Sequence, residues 1–367
     1  MSTFVLMAGG TGGHLFPALA LAQELRRRGH VIHLMTDHRT SGLGDQFPAR
    51  EVHVIPSATP SIGNPLKVIE AGVRIVWGTV VAWNALRRIQ PDGVIGFGGY
   101  PTFPPFLAAS LFARVPGILH EQNAVMGRAN RALAGRARVL ALSFATTIHA
   151  ETFKVEKVLT GNPVRDRVRL AADGPYPELK DGGPIHLLVF GGSQGARAFA
   201  DLVPPAIATL PVALRHRLRV TQQCRGEDLD RVAEAYRQAK VNVELSAFFN
   251  DLPERMARSH LVVARAGAST VAELCVIGRP AVLIPLPGAI DGDQRNNARF
   301  IDDAGGGWIA EQATLSPLSL GTRLASLFSE PQVLANAAAA ARSLGQPRAV
   351  EQLADLAERL RAGNPSS

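Results

Sequence analysis

The chain has 367 residues, 46% hydrophobic and 19% charged, which is the composition of globular domains and excludes a disordered tail. Its only cysteines, Cys224 and Cys275, exclude a disulfide framework and a cysteine-based metal cluster, and they point to a reducing compartment. The net charge of +8 lies mostly in residues 1–160, with 16 Lys+Arg against 9 Asp+Glu, whereas residues 161–367 hold 23 against 22.

Residues 4–8 read as a short apolar strand that runs into Gly9-Gly-Thr-Gly-Gly13 and then a helix from about 17 to 28. The absence of a basic leader and of an apolar core argues against a signal peptide. Residues 31–35, 52–55, 93–97, 117–120, 139–143 and 157–159 read as further strands separated by helical stretches. Between them, residues 65–90 read as one or two helices. Leu66, Ile69, Val73, Val76 and Val80 form an apolar stripe there, with Trp77 and Trp83 alongside and Lys67, Arg74, Arg87 and Arg88 nearby. Such a stripe packs on the sheet or lies in a membrane interface. The uncharged run 93–113 carries too many Gly and Pro residues for a simple spanning helix.

Gly161-Asn-Pro163 and a Pro/Gly-rich stretch over 162–183 read as a linker. The opening pattern then repeats: strand 185–190, Gly191-Gly-Ser-Gln-Gly195, helix from about 196. Strands follow at 218–221, 241–245, 261–264 and 281–284, and an Ala-rich helical tail starts near 333. Two copies of strand, glycine loop and helix imply two α/β domains with parallel sheets, their ligands at the carboxyl ends of the strands.

Of the two glycine loops, the first is neither a dinucleotide fingerprint nor a P-loop: Leu15 stands where a third glycine belongs, and no Gly-Lys-Ser/Thr follows. Each can still present bare N–H groups to an anion or a sugar oxygen. His14, at the mouth of the first loop, is either a proton acceptor or a loop cap. Arg265-Ala-Gly-Ala-Ser-Thr-Val-Ala-Glu273 is a third strand-loop-helix junction, where Glu273 either accepts ribose hydroxyls or complements the helix dipole. His120-Glu-Gln-Asn123 is a polar cluster at a strand end, and Arg165 follows the Gly161 turn. Asp291-Gly-Asp293 is formally an Asp-x-Asp metal motif, but Asp228-Leu-Asp230 in an ordinary amphipathic helix shows how common the pattern is. No His/Cys spacing suggests a metal site. With aromatics at 6% and no basic run interleaved with them, nucleic acid is a poor partner; an anionic membrane or a phosphorylated substrate suits the charge better.

Together, Gly9-Gly-Thr-Gly-Gly-His14, Gly98-Gly-Tyr100, His120-Glu-Gln-Asn123, Gly161-Asn-Pro-Val-Arg165 and Gly191-Gly-Ser-Gln-Gly-Ala196 resemble the signature blocks of the MurG family. These are the bacterial transferases that add N-acetylglucosamine to the lipid-linked muramoyl precursor of peptidoglycan. The resemblance spans essentially the whole chain. It implies an α/β GT-B fold: a Rossmann-like acceptor- and membrane-binding domain over 1–162, a Rossmann-like UDP-GlcNAc-binding domain over 163–335, the active site in the cleft, and a helical segment over 336–367 that returns to the first domain. It implies that Thr11, Gly12, Gly13, Asn123, Arg165, Ser193, Phe249, Ala268, Ser269, Thr270, Val271, Ala272, Glu273 and Gln294 hold the donor. His14, Tyr100, His120 and Glu121 would meet the acceptor, undecaprenyl-diphospho-MurNAc-pentapeptide. His14 would be the base and Glu273 would position the donor. Ile69, Val73, Val76, Trp77 and Val80 would face the anionic inner-membrane surface, placing the protein peripherally on its cytoplasmic side. No metal or other cofactor is expected. Two segments depart from the family pattern: Phe248-Phe-Asn-Asp-Leu, and Asp293 before Gln294. A UDP-GlcNAc 2-epimerase and a non-catalytic sugar-nucleotide-binding subunit are the alternatives.

Overall fold

The computed structural model of the chain describes residues 1–9, 12–38, 47–58, 65–192 and 196–362. In chain order the first unit contains β1 (Thr3–Met7), α1 (Gly12–Arg27), β2 (Val31–Thr36), β3 (Glu51–Val54), α2 (Pro65–Ile89), β4 (Gly93–Gly96), α3 (Phe103–Ala108), β5 (Gly117–Glu121), α4 (Arg128–Leu133), β6 (Val139–Leu142) and β7 (Glu156–Leu159). The second contains α5 (Asp166–Ala171), β8 (Ile185–Phe190), α6 (Arg197–Ala208), α7 (Val212–Arg217), β9 (Leu218–Gln223), α8 (Leu229–Gln238), β10 (Asn242–Ser246), α9 (Leu252–Arg258), β11 (Leu261–Ala264), α10 (Ala268–Ile277), β12 (Ala281–Leu283), α11 (Asp293–Asp302), β13 (Gly307–Ile309), α12 (Pro317–Ser329) and α13 (Pro331–Ser343). A last helix, α14 (Ala349–Ala362), rejoins the first unit. The units are residues 1–165 with 347–367, and residues 166–346.

Each unit is a Rossmann-like parallel sheet. The strand orders are β3-β2-β1-β4-β5-β6-β7 and β10-β9-β8-β11-β12-β13, so chain direction across the sheet reverses between β1 and β4 and between β8 and β11. Ligands of such sheets bind at those reversals, beyond the carboxyl ends of the strands. The central strands are apolar throughout because helices cover both faces. Along β1, Phe4 and Leu6 turn to one face, where they pack with Leu15, Leu25, Leu353 and Leu360 of α1 and α14. Val5 and Met7 turn to the other, against Ala82, Leu86 and Phe106 of α2 and α3. In the second unit, Ile185, Leu187 and Val189 of β8 pack with Phe199 and Val203 of α6 and Leu320 and Leu324 of α12.

α14 is fixed to α1 by polar groups as well. Arg28 donates to Glu24 at 2.8 Å and to Asp355 at 2.6 Å, and His30 Nε2 lies 2.8 Å from Glu358. A side chain at Gly93 would press on Leu360, its Cβ only 3.1 Å from a methyl group.

Four features differ from the sequence expectation. α1 begins at Gly12, not near Pro17; Pro17 sits inside it and, lacking an N–H, leaves Gly13 O without its i+4 donor. Gly12, Gly13 and His14 therefore form the helix's first turn. Part of the 162–183 linker is α5, six residues hidden among Pro and Gly. β13 has no counterpart in the sequence pattern, because three residues behind Gly305-Gly306 show no period. The Ala-rich tail is two helices, α13 in the second unit and α14 in the first.

Candidate active site

In the first unit, three segments meet beyond the carboxyl ends of β1, β4 and β5. α1 brings His14, the turn after β4 brings Gly98, Gly99 and Tyr100, and the end of β5 brings His120 to Asn123. The segments are tied closely. A Cβ on Gly9 would lie 2.5 Å from the Pro101 ring, so only glycine lets the β1 and β4 ends approach. Thr102 Oγ1 lies 3.0 Å from Met7 O and 2.7 Å from Gly98 O.

A chain of hydrogen bonds with a forced direction runs through this cluster. Gly161 O can only accept, so His120 Nε2, 2.9 Å away, carries a proton. Burial holds the His120 ring pKa down at about 4, helped by the nearby His14, so the ring is neutral and its Nδ1 accepts. Gln122 Nε2 donates to that Nδ1 at 2.9 Å and to His120 O at 3.0 Å. Gln122 Oε1 then faces His14 Nδ1 at 3.0 Å as an acceptor, so His14 carries its proton on Nδ1. Nε2 is the ring nitrogen of His14 turned away from Gln122. It lies 3.4 Å from where a Cβ on Gly99 would stand, and the positive φ of 74° at Gly99 likewise favours glycine.

Glu121 is 2% exposed. Its carboxylate accepts from Asn123 N (3.0 Å), Gly127 N (2.9 Å) and Asn130 Nδ2 (2.8 Å). Both ring nitrogens of fully buried His120 are likewise bonded within the chain. The sequence expectation places both residues against the acceptor; here their side-chain polar groups are engaged by the chain itself. Tyr100 and Asn123 are partly exposed. Arg165 holds its guanidinium 4.2 Å from the centre of the Phe16 ring, two residues beyond His14 on α1. Thr11 lies outside the described residues.

In the second unit, the corresponding loops follow β8 and β11. A Cβ on Gly191 would lie 2.3 Å from that of Ala196, which only glycine allows; Ser193, between them, lies outside the described residues. α10 opens after Gly267, which has no side chain to cap it, so Ala268, Ser269 and Thr270 present uncapped N–H groups. Ser269 Oγ is buried without a hydrogen-bond partner. Val271 and Ala272 continue the helix to Glu273, which is 6% exposed and one turn in. Arg265, ahead of the helix, is a structural cation: it donates to Ile284 O, Pro285 O and Gln312 Oε1 and stacks on Phe199, while Asn297 Nδ2 donates to Ala266 O.

Gln294 lies in the first turn of α11, its Oε1 accepting from Leu286 N at 3.0 Å. Asp293 Oδ1 accepts from Gln294 N at 2.7 Å, the role of a helix-start carboxylate. The Phe249 ring is buried beneath the Arg255 guanidinium, 4.3 Å from its centre, while Phe248 is exposed.

Sequence reasoning singled out the blocks but not Gln122 as the link between two histidines, nor Asn130 as a brace of the β5 loop. The i, i+2 spacing of His120 and Gln122 was the only available signal for the first, and nothing in the sequence pointed to Asn130.

Two Rossmann-like parallel sheets, each with glycines at its reversal point, are the architecture of GT-B nucleotide-sugar enzymes. Residues 4–142 match the glycosyltransferase family 28 N-terminal domain and residues 186–360 its C-terminal domain. A Methylobacterium nodulans protein named UDP-N-acetylglucosamine--N-acetylmuramyl-(pentapeptide) pyrophosphoryl-undecaprenol N-acetylglucosamine transferase is 52% identical, covering 96% of this chain and 95% of its own. The crystal structure of Acinetobacter baumannii MurG is 32% identical with a TM-score of 0.79, covering 98% of this chain and all of its own. The chain belongs to this MurG family of N-acetylglucosamine transferases. A Neisseria meningitidis UDP-GlcNAc 2-epimerase solved with UDP-GlcNAc shares the fold at 14% identity, with a TM-score of 0.68 and coverage of 98% and 100%.

Proposed function

We infer that this chain moves N-acetylglucosamine from UDP-GlcNAc to the 4-hydroxyl of MurNAc in undecaprenyl-diphospho-MurNAc-pentapeptide, the step from lipid I to lipid II in peptidoglycan biosynthesis. Family membership at 52% identity supports the reaction. The hydrogen-bond chain that leaves a basic Nε2 on His14 is the observation that carries the mechanism.

The transfer is inverting. The acceptor hydroxyl attacks the anomeric carbon from the face opposite UDP, and His14 Nε2 takes its proton. Negative charge grows on the departing diphosphate, and N–H groups fixed at a helix start meet such charge without reorganising. The uncapped start of α10, with the Ser269 hydroxyl, and the Gly191 loop supply these groups, and Arg165 supplies a cation. Glu273 accepts the ribose hydroxyls, backbone near Phe249 meets the uracil, and Gln294 and Asn123 orient the sugar. The reading requires no metal: these N–H groups and the cation answer the charge a metal would otherwise answer.

The acceptor is lipid-linked, and the first unit carries a surface suited to that. Ile69, Val73, Val76 and Trp77 of α2 are each 60–65% exposed, and Val80, Leu111 and Phe112 add to the face. Arg74 and Arg88 lie on the same helix, and Arg87 stacks on Trp83. Among the described residues no helix is long and apolar enough to cross a membrane. The face suits peripheral attachment to an anionic bilayer, on the cytoplasmic side of the inner membrane.

Incubation with UDP-GlcNAc and the lipid-linked muramoyl acceptor tests the reading. Disaccharide-lipid and UDP are expected. Formation of UDP-ManNAc would indicate an epimerase, and absence of turnover a binding subunit.

A further inference from the structure

Remote from the strand ends that carry His14, the free edge of the first sheet holds a second convergence of chemistry. β2 and β3 pair in parallel, His33 opposite Glu51 and Met35 opposite His53. The side-chain period of two puts Glu51 and His53 on one face of β3. His33 Nδ1 lies 3.3 Å from His53 Nε2, and Glu51 Oε2 lies 3.6 Å from the same Nε2. One donor atom from each of the three residues falls within 4.8 Å of the others. The residues are too far apart in the chain to show the spacing of a ligand motif, so sequence reading found no cluster here. Pairing of the two strands assembles it.

Charged side chains on an edge strand are ordinary protection against misassociation. Two imidazole nitrogens facing each other share one proton in an N–H···N hydrogen bond, and an ion can take the place of that proton. Tetrahedral zinc, with bonds of roughly 2.0–2.1 Å, holds its nitrogen ligands about 3.3–3.4 Å apart. The separation of 3.3 Å already present, which serves as a hydrogen bond, is also the spacing of two ligands of one ion. The Glu51 side chain is 63% exposed and has the freedom to close a third position, leaving the fourth for water. Two imidazoles and a carboxylate suit zinc, whereas magnesium and calcium take oxygen ligands.

We propose that His33, His53 and Glu51 form a zinc site that staples the edge strand β3 to β2. Among the described residues β3 has a strand partner on one side only, so the ion would add a cross-strand link where the sheet is least supported. The effect would reach α2, because Gly78 of that helix packs so closely on Pro56, just beyond β3, that a Cβ there would overlap Pro56 O.

The full chain without a polyhistidine tag, stripped with chelator and dialysed, should bind zinc at one equivalent by calorimetry. Cobalt in its place should show the visible absorption of a tetrahedral N/O site, and zinc should raise the thermal midpoint. His53→Gln should weaken zinc by more than about 100-fold, the upper end of what a change behind the ligands produces. Glu51→Gln, at an exposed position that leaves the core untouched, should weaken it by at least about tenfold. Circular dichroism in chelator checks that each variant is folded. Absence of saturable zinc binding by the wild-type chain overturns the proposal, and so does equal affinity in both folded variants, which would assign the ion to other histidines.

Discussion

His14 Nδ1 stands 3.0 Å from Gln122 Oε1, and this contact decides which end of the His14 ring is basic. Gln122 is itself oriented by donating to His120 Nδ1 and His120 O. Gln122 and His120 are thus positioning residues, since they act through His14. Gln122→Glu sets a carboxylate against the Nδ1 proton and stabilises the charged ring. The acid limb of the kcat/KM profile should move up by about one unit, since a close opposite charge shifts a pKa by that much or more. Gln122→Ala should lower kcat with the donor KM nearly unchanged. A profile superimposable on wild type for Gln122→Glu removes Gln122 from this role.

His14→Ala removes the base and should lower kcat by about 10²–10⁴-fold, the range for a positioned proton acceptor. The donor KM should stay close to wild type. A loss confined to KM makes His14 a binding residue.

The start of α10 should govern the donor. Glu273→Ala deletes a charged acceptor worth roughly 1.5–3 kcal/mol, so the UDP-GlcNAc KM should rise about 10- to 100-fold while the fold survives. Ser269→Ala removes a neutral hydroxyl worth about 0.5–1.5 kcal/mol and should raise it less. Steady-state kinetics at saturating acceptor separates the two effects, and an unchanged KM in Glu273→Ala takes that residue out of the donor site.

The exposed face of α2 can be tested with vesicles. Val73→Glu/Val76→Glu places two carboxylates on it without touching buried Ala82 or Leu86. The double variant should stay folded, turn over a water-soluble acceptor normally and lose sedimentation with anionic vesicles. Retained binding would show that another surface meets the bilayer.

Two buried histidines make stability depend on acid. Burial lowers both His120 and His260 from the ordinary 6.5 to about 4. Between those values the unfolded chain binds more protons than the folded one, so stability is complete above about pH 6.5 and falls as pH drops toward 4. The loss reaches on the order of 3 kcal/mol for fully buried His120. His260→Asn, whose amide oxygen can replace Nδ1 as acceptor of the His186 N–H, should flatten the fall in thermal midpoint over this window. An unaltered slope assigns the acid sensitivity elsewhere.

The sheets were legible because strands buried on both faces are continuous apolar runs, such as Phe4-Val-Leu-Met and Leu261-Val-Val-Ala. The glycine blocks were legible because close approach leaves only glycine at Gly9 and Gly191. The start of α1 was not, since Pro17 suggests a first turn and here stands beyond one. Nor was the inward turn of His120 and Glu121: polar residues at a strand end look exposed until the partners Gly161, Gly127 and Asn130 are known. Side chains joined only by strand pairing, such as His33 and His53, leave no trace in local spacing.

α14 has a consequence for how the protein is made. The first unit takes a helix from beyond the second, and Leu353, Ala357 and Leu360 complete its core. A ribosome therefore delivers all of residues 166–346 before the first unit can close. Until then Leu15, Leu21 and Leu25 of α1 lack part of their cover, which makes this face a natural client for chaperones during synthesis. A fragment that stops at Arg165 keeps every strand of its sheet and should still aggregate, while the same fragment supplied with α14 as a peptide or a fused segment should stay in solution.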